Sequence, residues 1–213
     1  MFHMHHAIRN VWTIALFSIL ALASRTSADA PATQPAGDQT PQKFLLSLTN
    51  DKVASMNVDQ VLDSIAYDPA SESEKADAKA NAANYIAVSK IELAARDKWG
   101  KDAETAVAHA IGDNTPDDIA NGDWAVDGDR AVVQFKPDGL APLALIKKAG
   151  QWKVDLVGVC KLQDESIDDD IKAEQAAATM LDQLSKDLAK KDAYPNAGAF
   201  VQHVKDEVAK MGQ

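Results

Sequence analysis

The run DWAVDGDRAVVQFKPDGLAPLALIKKAGQWKVDLVG, Asp123 to Gly158, decides how this chain is read. Apolar and polar residues alternate along it, the period of a strand with one buried face. Asp127-Gly128 stands between two such segments and marks a tight hairpin. Pro137-Asp138-Gly139 marks the next turn and Ala149-Gly150 the third. Pro142 suits a strand start or a sheet edge. The pattern predicts a four-stranded antiparallel meander from about Ala120 to Val159. Trp152, Val154 and Leu156 share one face of the last strand, and Ala131, Val133 and Phe135 one face of the second. That face is expected to pack on a helix.

Upstream the period lengthens to that of a helix. TPQKFLLSLTNDKVASM, Thr40 to Met56, reads as one helix with Phe44, Leu45 and Leu48 inside. Asn57 with Gln60 forms a capping box for a second helix striped by Val58, Val61, Leu62 and Ile65. Ser71 with Glu74 starts a long Ala-rich helix that runs to Trp99 and stops at Gly100. DAETAVAHAI predicts a short helix, and Thr115-Pro116-Asp117-Asp118 opens one more turn. Downstream, Ile167, Ile171, Ala178, Leu181, Leu184 and Leu188 recur at helical steps. Tyr194-Pro195 breaks that helix, and Phe200, Val201, Val204 and Val208 stripe another. The fold class is therefore α+β: N-terminal helices packed on a four-stranded antiparallel meander, followed by two C-terminal helices.

The first residues read as a leader. VWTIALFSILALA, Val11 to Ala23, is apolar and uncharged. As a helix it would reach only about 20 Å, short of the roughly 30 Å hydrocarbon core. This predicts a signal peptide over 1–28, with cleavage after Ala28, rather than a spanning anchor. Residues 29–42 carry Pro and small side chains and predict a disordered linker. Residues 43–213 then form one domain, with a helix and sheet part at 43–159 and a helical extension at 160–213. The expected location is exported, either periplasmic or extracellular.

Charge narrows the partners. The chain has 22 basic and 32 acidic residues. Without a leader that carries Arg9 and Arg25, 20 basic residues face 32 acidic ones. Such a surface repels phosphate backbones and anionic lipid, so neither nucleic acid nor a membrane is an expected partner. Cys160 is the single cysteine, which excludes an internal disulfide. Its apolar neighbours point to a buried, inert thiol.

The segment AVDGDRAVVQFKPDGLAPLALIKKAGQWKVDLVG, preceded by helices, resembles the nuclear-transport-factor-2-like superfamily. The resemblance covers Lys43 to Val159. It implies a curved sheet wrapped on helices into a cone. Some members use the cone as a small-molecule pocket, isomerases and cyclases among them, and others are binding or assembly modules. This chain lacks the strand pair that many members place between the early helices and the long one. No acid–tyrosine pair of the family can be placed on it either.

Motifs for chemistry are sparse. Past the leader, the histidines are His109 and His203, in different predicted helices. They have no zinc-site spacing. QDESIDDD, Gln163 to Asp170, is rich enough in oxygen to suggest Ca²⁺. It lacks the EF-hand pattern, and the acids read better as partners of a helix N-terminus. No catalytic residue, metal ligand or cofactor is assigned. Tyr85, Trp99, Trp124, Phe135 and Trp152 are the candidates to line an apolar pocket, against the reading that they fill the core. The expected function is a non-catalytic exported module that binds a small apolar ligand or a protein partner. An acid–base enzyme of the cone-pocket kind and a structural partner that forms a homodimer are the alternatives.

Overall fold

The computed structural model describes residues 39–137, 139–190 and 193–211. The predicted signal peptide and residues 29–38 of the predicted linker lie outside the described residues. From residue 39 the chain is α+β, as the sequence implies.

Three short helices open it: α1 (Pro41–Leu45), α2 (Asn50–Ala54) and α3 (Val58–Leu62). The single helix expected over Thr40 to Met56 is thus broken. Thr49 leaves helical geometry and its side chain accepts from Lys52 N, so it starts a new helix. Asn57 and Gln60 form the reciprocal capping box. Strand β1 (Ile65–Ala66) follows, then α4 (Glu72–Trp99), α5 (Lys101–Ile111) and α6 (Pro116–Asn121). Ser71 caps α4 by accepting from Glu74 N, but the Glu74 carboxyl turns to Asp68 N, so only half of that box forms.

The sheet comprises β1, β2 (Asp123–Asp127), β3 (Arg130–Gln134), β4 (Leu143–Lys148) and β5 (Gln151–Asp155), in the order β1-β5-β4-β3-β2. The last four strands are the antiparallel hairpins read from the sequence. The sheet as a whole corrects that reading: it is five-stranded and mixed, because β1 runs parallel beside β5. Ile65, Val154, Leu145 and Ala131 line up across the strands and are buried together.

β5 also ends earlier than expected. Asp155 accepts from Gly158 N and caps α7 (Leu156–Gln163), so Leu156 and Val159 belong to a helix. α7 lies close on β4: a Cβ on Gly158 would come within 2.8 Å of the Ala144 Cβ. Then come α8 (Ile167–Ala189) and α9 (Ala197–Met211), which makes three helices after the sheet instead of the two expected.

The core has two parts. One joins α1–α3, the sheet and Ala78, Ala82, Tyr85 and Ile86 of α4. The other joins Val88, Ile91 and Ala95 of α4 to α5, α8 and α9. α4 therefore crosses both. Its closest partner is α8, which runs in the same direction: Asp77 meets Asp170 near one end of the pair, and Asn84 meets Glu174 a turn or more further on. The inner face of α8 corrects the stripe expected for it. Asp170, Glu174, Ala177, Leu181, Leu184 and Leu188 are buried, whereas Ala178 is exposed and Ile167 and Ile171 are half-buried. Three buried positions of this helix are acidic, Asp170, Glu174 and Asp187.

No helix among the described residues is long and apolar enough to cross a membrane.

Candidate functional site

A cleft of about 230 Å³ opens between α1–α3 and the start of β5. Its floor is Phe44, Leu48, Val53, Val61, Tyr85 and Trp152, all buried. Its rim is polar and exposed, with Lys52, Asp63, Gln60 and Gln151 among the side chains. The break at Thr49 separates α1 and α2, and both contribute to the lining, α1 with Phe44 and α2 with Lys52 and Val53. Two hydrogen bonds hold the floor. Tyr85 donates its hydroxyl to Leu48 O at 3.2 Å, and Trp152 Nε1 donates to Gln39 O at 2.9 Å. Burial, and then the acids Asp113 and Glu92, raise the Tyr85 hydroxyl well above its ordinary pKa. It remains a neutral donor.

The five aromatic candidates separate. Tyr85 and Trp152 line the cleft. Trp124 and Phe135 pack half-buried against the sheet-side core, with Trp124 Nε1 donating to Ile119 O at 3.0 Å. Trp99 lies in the other core, 5.7 Å from Phe200 between ring centroids. The sequence missed Phe44, Leu48, Val53 and Val61 as lining residues, because an aliphatic side chain in a helix stripe looks the same whether it meets a neighbour or a cavity.

A second unusual place is the seam between α4, α7 and α8. Asp77, Asp170, Glu174 and Cys160 are buried there with Asn81 and Asn84. Asn84 Nδ2 donates to Glu174 at both O, 2.7 Å, and Oε2, 2.5 Å. Asn81 Nδ2 donates to Asp77 Oδ1 at 3.1 Å. Cys160 Sγ lies 3.6 Å from Asp170 Oδ2. Burial and then Asp170 push the Asp77 carboxyl up to about 8. Burial, followed by the same acids, raises Glu174 and Cys160 well above their ordinary values. The acids of QDESIDDD therefore divide. Asp168 and Asp169 sit exposed in the first turn of α8, as read, and Asp170 points into the core. A donor atom from each of Asp77, Cys160 and Asp170 falls within 4.8 Å of the other two.

Further along α4, Asn50 Nδ2 bridges Glu92 Oε2 at 2.7 Å and Glu104 Oε1 at 3.0 Å. Arg96 closes the outside of this cluster with a paired contact to Asp51 at 2.9 and 3.0 Å.

His109 and His203 each meet an acid. His203 Nε2 is 3.3 Å from Asp187 Oδ2 and helps pair α9 with α8. His109 Nε2 is 2.8 Å from Asp118 Oδ2, which also accepts from Thr115 N and Oγ1 at 2.8 and 2.6 Å. The carboxyl sits in the middle, so the Thr115 hydroxyl is not aimed at the imidazole, and no nucleophile–base contact exists. The bond to Asp118 raises the His109 pKa against the opposing effect of burial. Burial pushes Asp118 up, and the bonds from His109 and Thr115 overturn this and leave it below its ordinary value.

The pair therefore stabilises the fold in a window. Its contribution is complete below the unfolded histidine value of about 6.5 and above the unfolded aspartate value of about 3.9. It fades as pH rises through the raised His109 value or falls through the lowered Asp118 value. Because His109 is exposed, the effect is expected to stay under about 1 kcal/mol. In urea titrations, His109→Gln should sit below the native protein near pH 5.5 and approach it near pH 8.5, values on either side of roughly 6.5. A gap that does not change with pH would show that the pair does not act through charge.

Comparison with protein-family models, curated proteins and solved structures finds no match to this chain.

Proposed function

We propose that this chain is an exported, non-catalytic binding module that holds one small amphipathic molecule in the cleft beside β5. One observation carries the reading: a buried apolar floor lies directly beneath an exposed polar rim. That arrangement favours a ligand with an apolar body and a polar end. The volume falls below the roughly 300–1,000 Å³ typical of drug-sized sites, which limits the occupant to a ring or a short chain with a polar group. The lining contains no histidine or cysteine, and its rim charges are Lys52 and Asp63. A recognition role suits this set better than acid–base catalysis. The reading stands on the cleft and does not depend on the nuclear-transport-factor-2-like resemblance, which supplies only a precedent for pockets on helices and sheet.

Native mass spectrometry of the protein purified from its own host tests the proposal. A bound mass should appear, and Ser47→Trp, placed on the exposed rim, should remove it while the unfolding temperature stays within about 2 °C, under about 1 kcal/mol. A bare chain from every preparation, or steady turnover of a substrate, would sink it.

A further inference from the structure

We propose that Asp77, Cys160 and Asp170 form a buried binding site for a zinc-class divalent cation. This goes beyond the cleft and does not depend on it.

The observations are geometric. Three elements, α4, α7 and α8, each bring one donor side chain to the same point, and the three donor atoms lie within 4.8 Å of one another. All three side chains are more than nine-tenths buried. Asp77 Oδ2 and Glu174 Oε1 are sealed from water and meet no amide, hydroxyl or cationic donor, and the carboxyl that Asp77 itself meets is another acid, Asp170. The charged groups acting on Asp77 are Asp170 and Glu74, and those acting on Glu174 are Asp170 and Asp77. Every one is an acid. A buried carboxyl oxygen that meets neither a donor nor a cation is costly, and Asp77 Oδ2 and Glu174 Oε1 are such atoms.

The donor chemistry selects the ion. A thiolate beside carboxylates suits zinc, which takes sulfur at about 2.3 Å and oxygen at about 2.0–2.2 Å in tetrahedral sites. Calcium and magnesium prefer oxygen alone. A thiol binds zinc as the thiolate, so uptake releases its proton. Asn81 holds Asp77 in place, as a partner of the ligand rather than a ligand itself.

The site is closed to solvent, so uptake should accompany folding. The test unfolds the full chain in urea with a chelator and refolds it with or without zinc sulfate. Metal is then counted after desalting. About one zinc per chain should remain, and the unfolding temperature should rise with zinc. Cobalt in place of zinc should give a thiolate-to-cobalt absorption band. Cys160→Ser should remove that band, and Asp170→Asn should weaken zinc retention by about ten- to a hundredfold or more. The Ser47→Trp rim variant should keep its zinc, which separates this site from the cleft. Folded protein that retains no zinc, or equal retention by Cys160→Ser, Asp170→Asn and the native chain, would overturn the proposal. If either variant fails to refold, the cobalt band of the native chain decides the matter: its presence supports the site and its absence rejects it.

Discussion

Phe200→Ala is expected to lower the free energy of unfolding by about 3–5 kcal/mol. Phe200 is fully buried on α9. Trp99 from α4 lies 5.7 Å from it, and Tyr194 meets it edge-on at 5.1 Å. Val204 and Val208 continue the same stripe toward the end of α9. Truncation removes the ring's transfer energy and leaves a cavity that three separate elements would have to close. Since α4 and α5 are anchored elsewhere, little collapse is expected, so the upper half of the range is favoured. The measurement is a urea titration, read as a lower midpoint at unchanged slope. A loss below about 1 kcal/mol would mean that α9 docks without contributing to the core.

Asn50→Leu is the second large effect, at about 2–4 kcal/mol, because hydrogen bonds to charged groups are worth about 1.5–3 kcal/mol each. One side-chain amide links carboxyls from α4 and α5. Leucine matches its size but donates nothing. Glu92 and Glu104 would lose the donor between them while staying buried. Asn50→Asp should be worse still, since it places a third carboxyl where the shared donor stood. The two variants are best compared by thermal unfolding at neutral and acid pH. If aspartate proves no worse than leucine, Asn50 acts through shape and not through its hydrogen bonds.

Much of the fold was legible because its signals are local. Asp127-Gly128 and the alternation around it predict β2 and β3 in register, and the Asn57–Gln60 box places the start of α3. What escaped was non-local or went against composition. β1 has two residues, too few to show a period, and it is a strand only because β5 lies beside it. The end of β5 carried a readable sign in Asp155, an N-cap residue, but the apolar run LVGV after it looks equally like a strand. The break between α1 and α2 also had its sign, Thr49, hidden within a run with helical spacing.

The seam escaped for a different reason. Searching α8 for apolar steps selects Ile167, Ile171 and Ala178, one position away from the true inner face at Asp170, Glu174 and Ala177. Steps of three and four back from Leu188 through Leu184, Leu181 and Ala177 lead directly to Glu174 and Asp170. The periodicity was present in the sequence. Hydrophobicity as the selection rule discarded it. The cleft was legible only as two of its aromatic residues, since the path of α1 and α2 around it depends on tertiary packing.

α4 has a consequence for how the molecule can be taken apart. One face of its first half completes the sheet-side core, and its second half is the centre of the helical one. A fragment cut after the sheet would leave Val88, Ile91 and Ala95 covered by α5 alone, and a fragment containing only the later helices would have no backing. The molecule is built like two rooms sharing one beam, so neither room stands after the other is removed. Deletion series and split-protein tags should therefore be confined to the chain ends and the hairpin at Asp127-Gly128, where the connection is short, exposed and local.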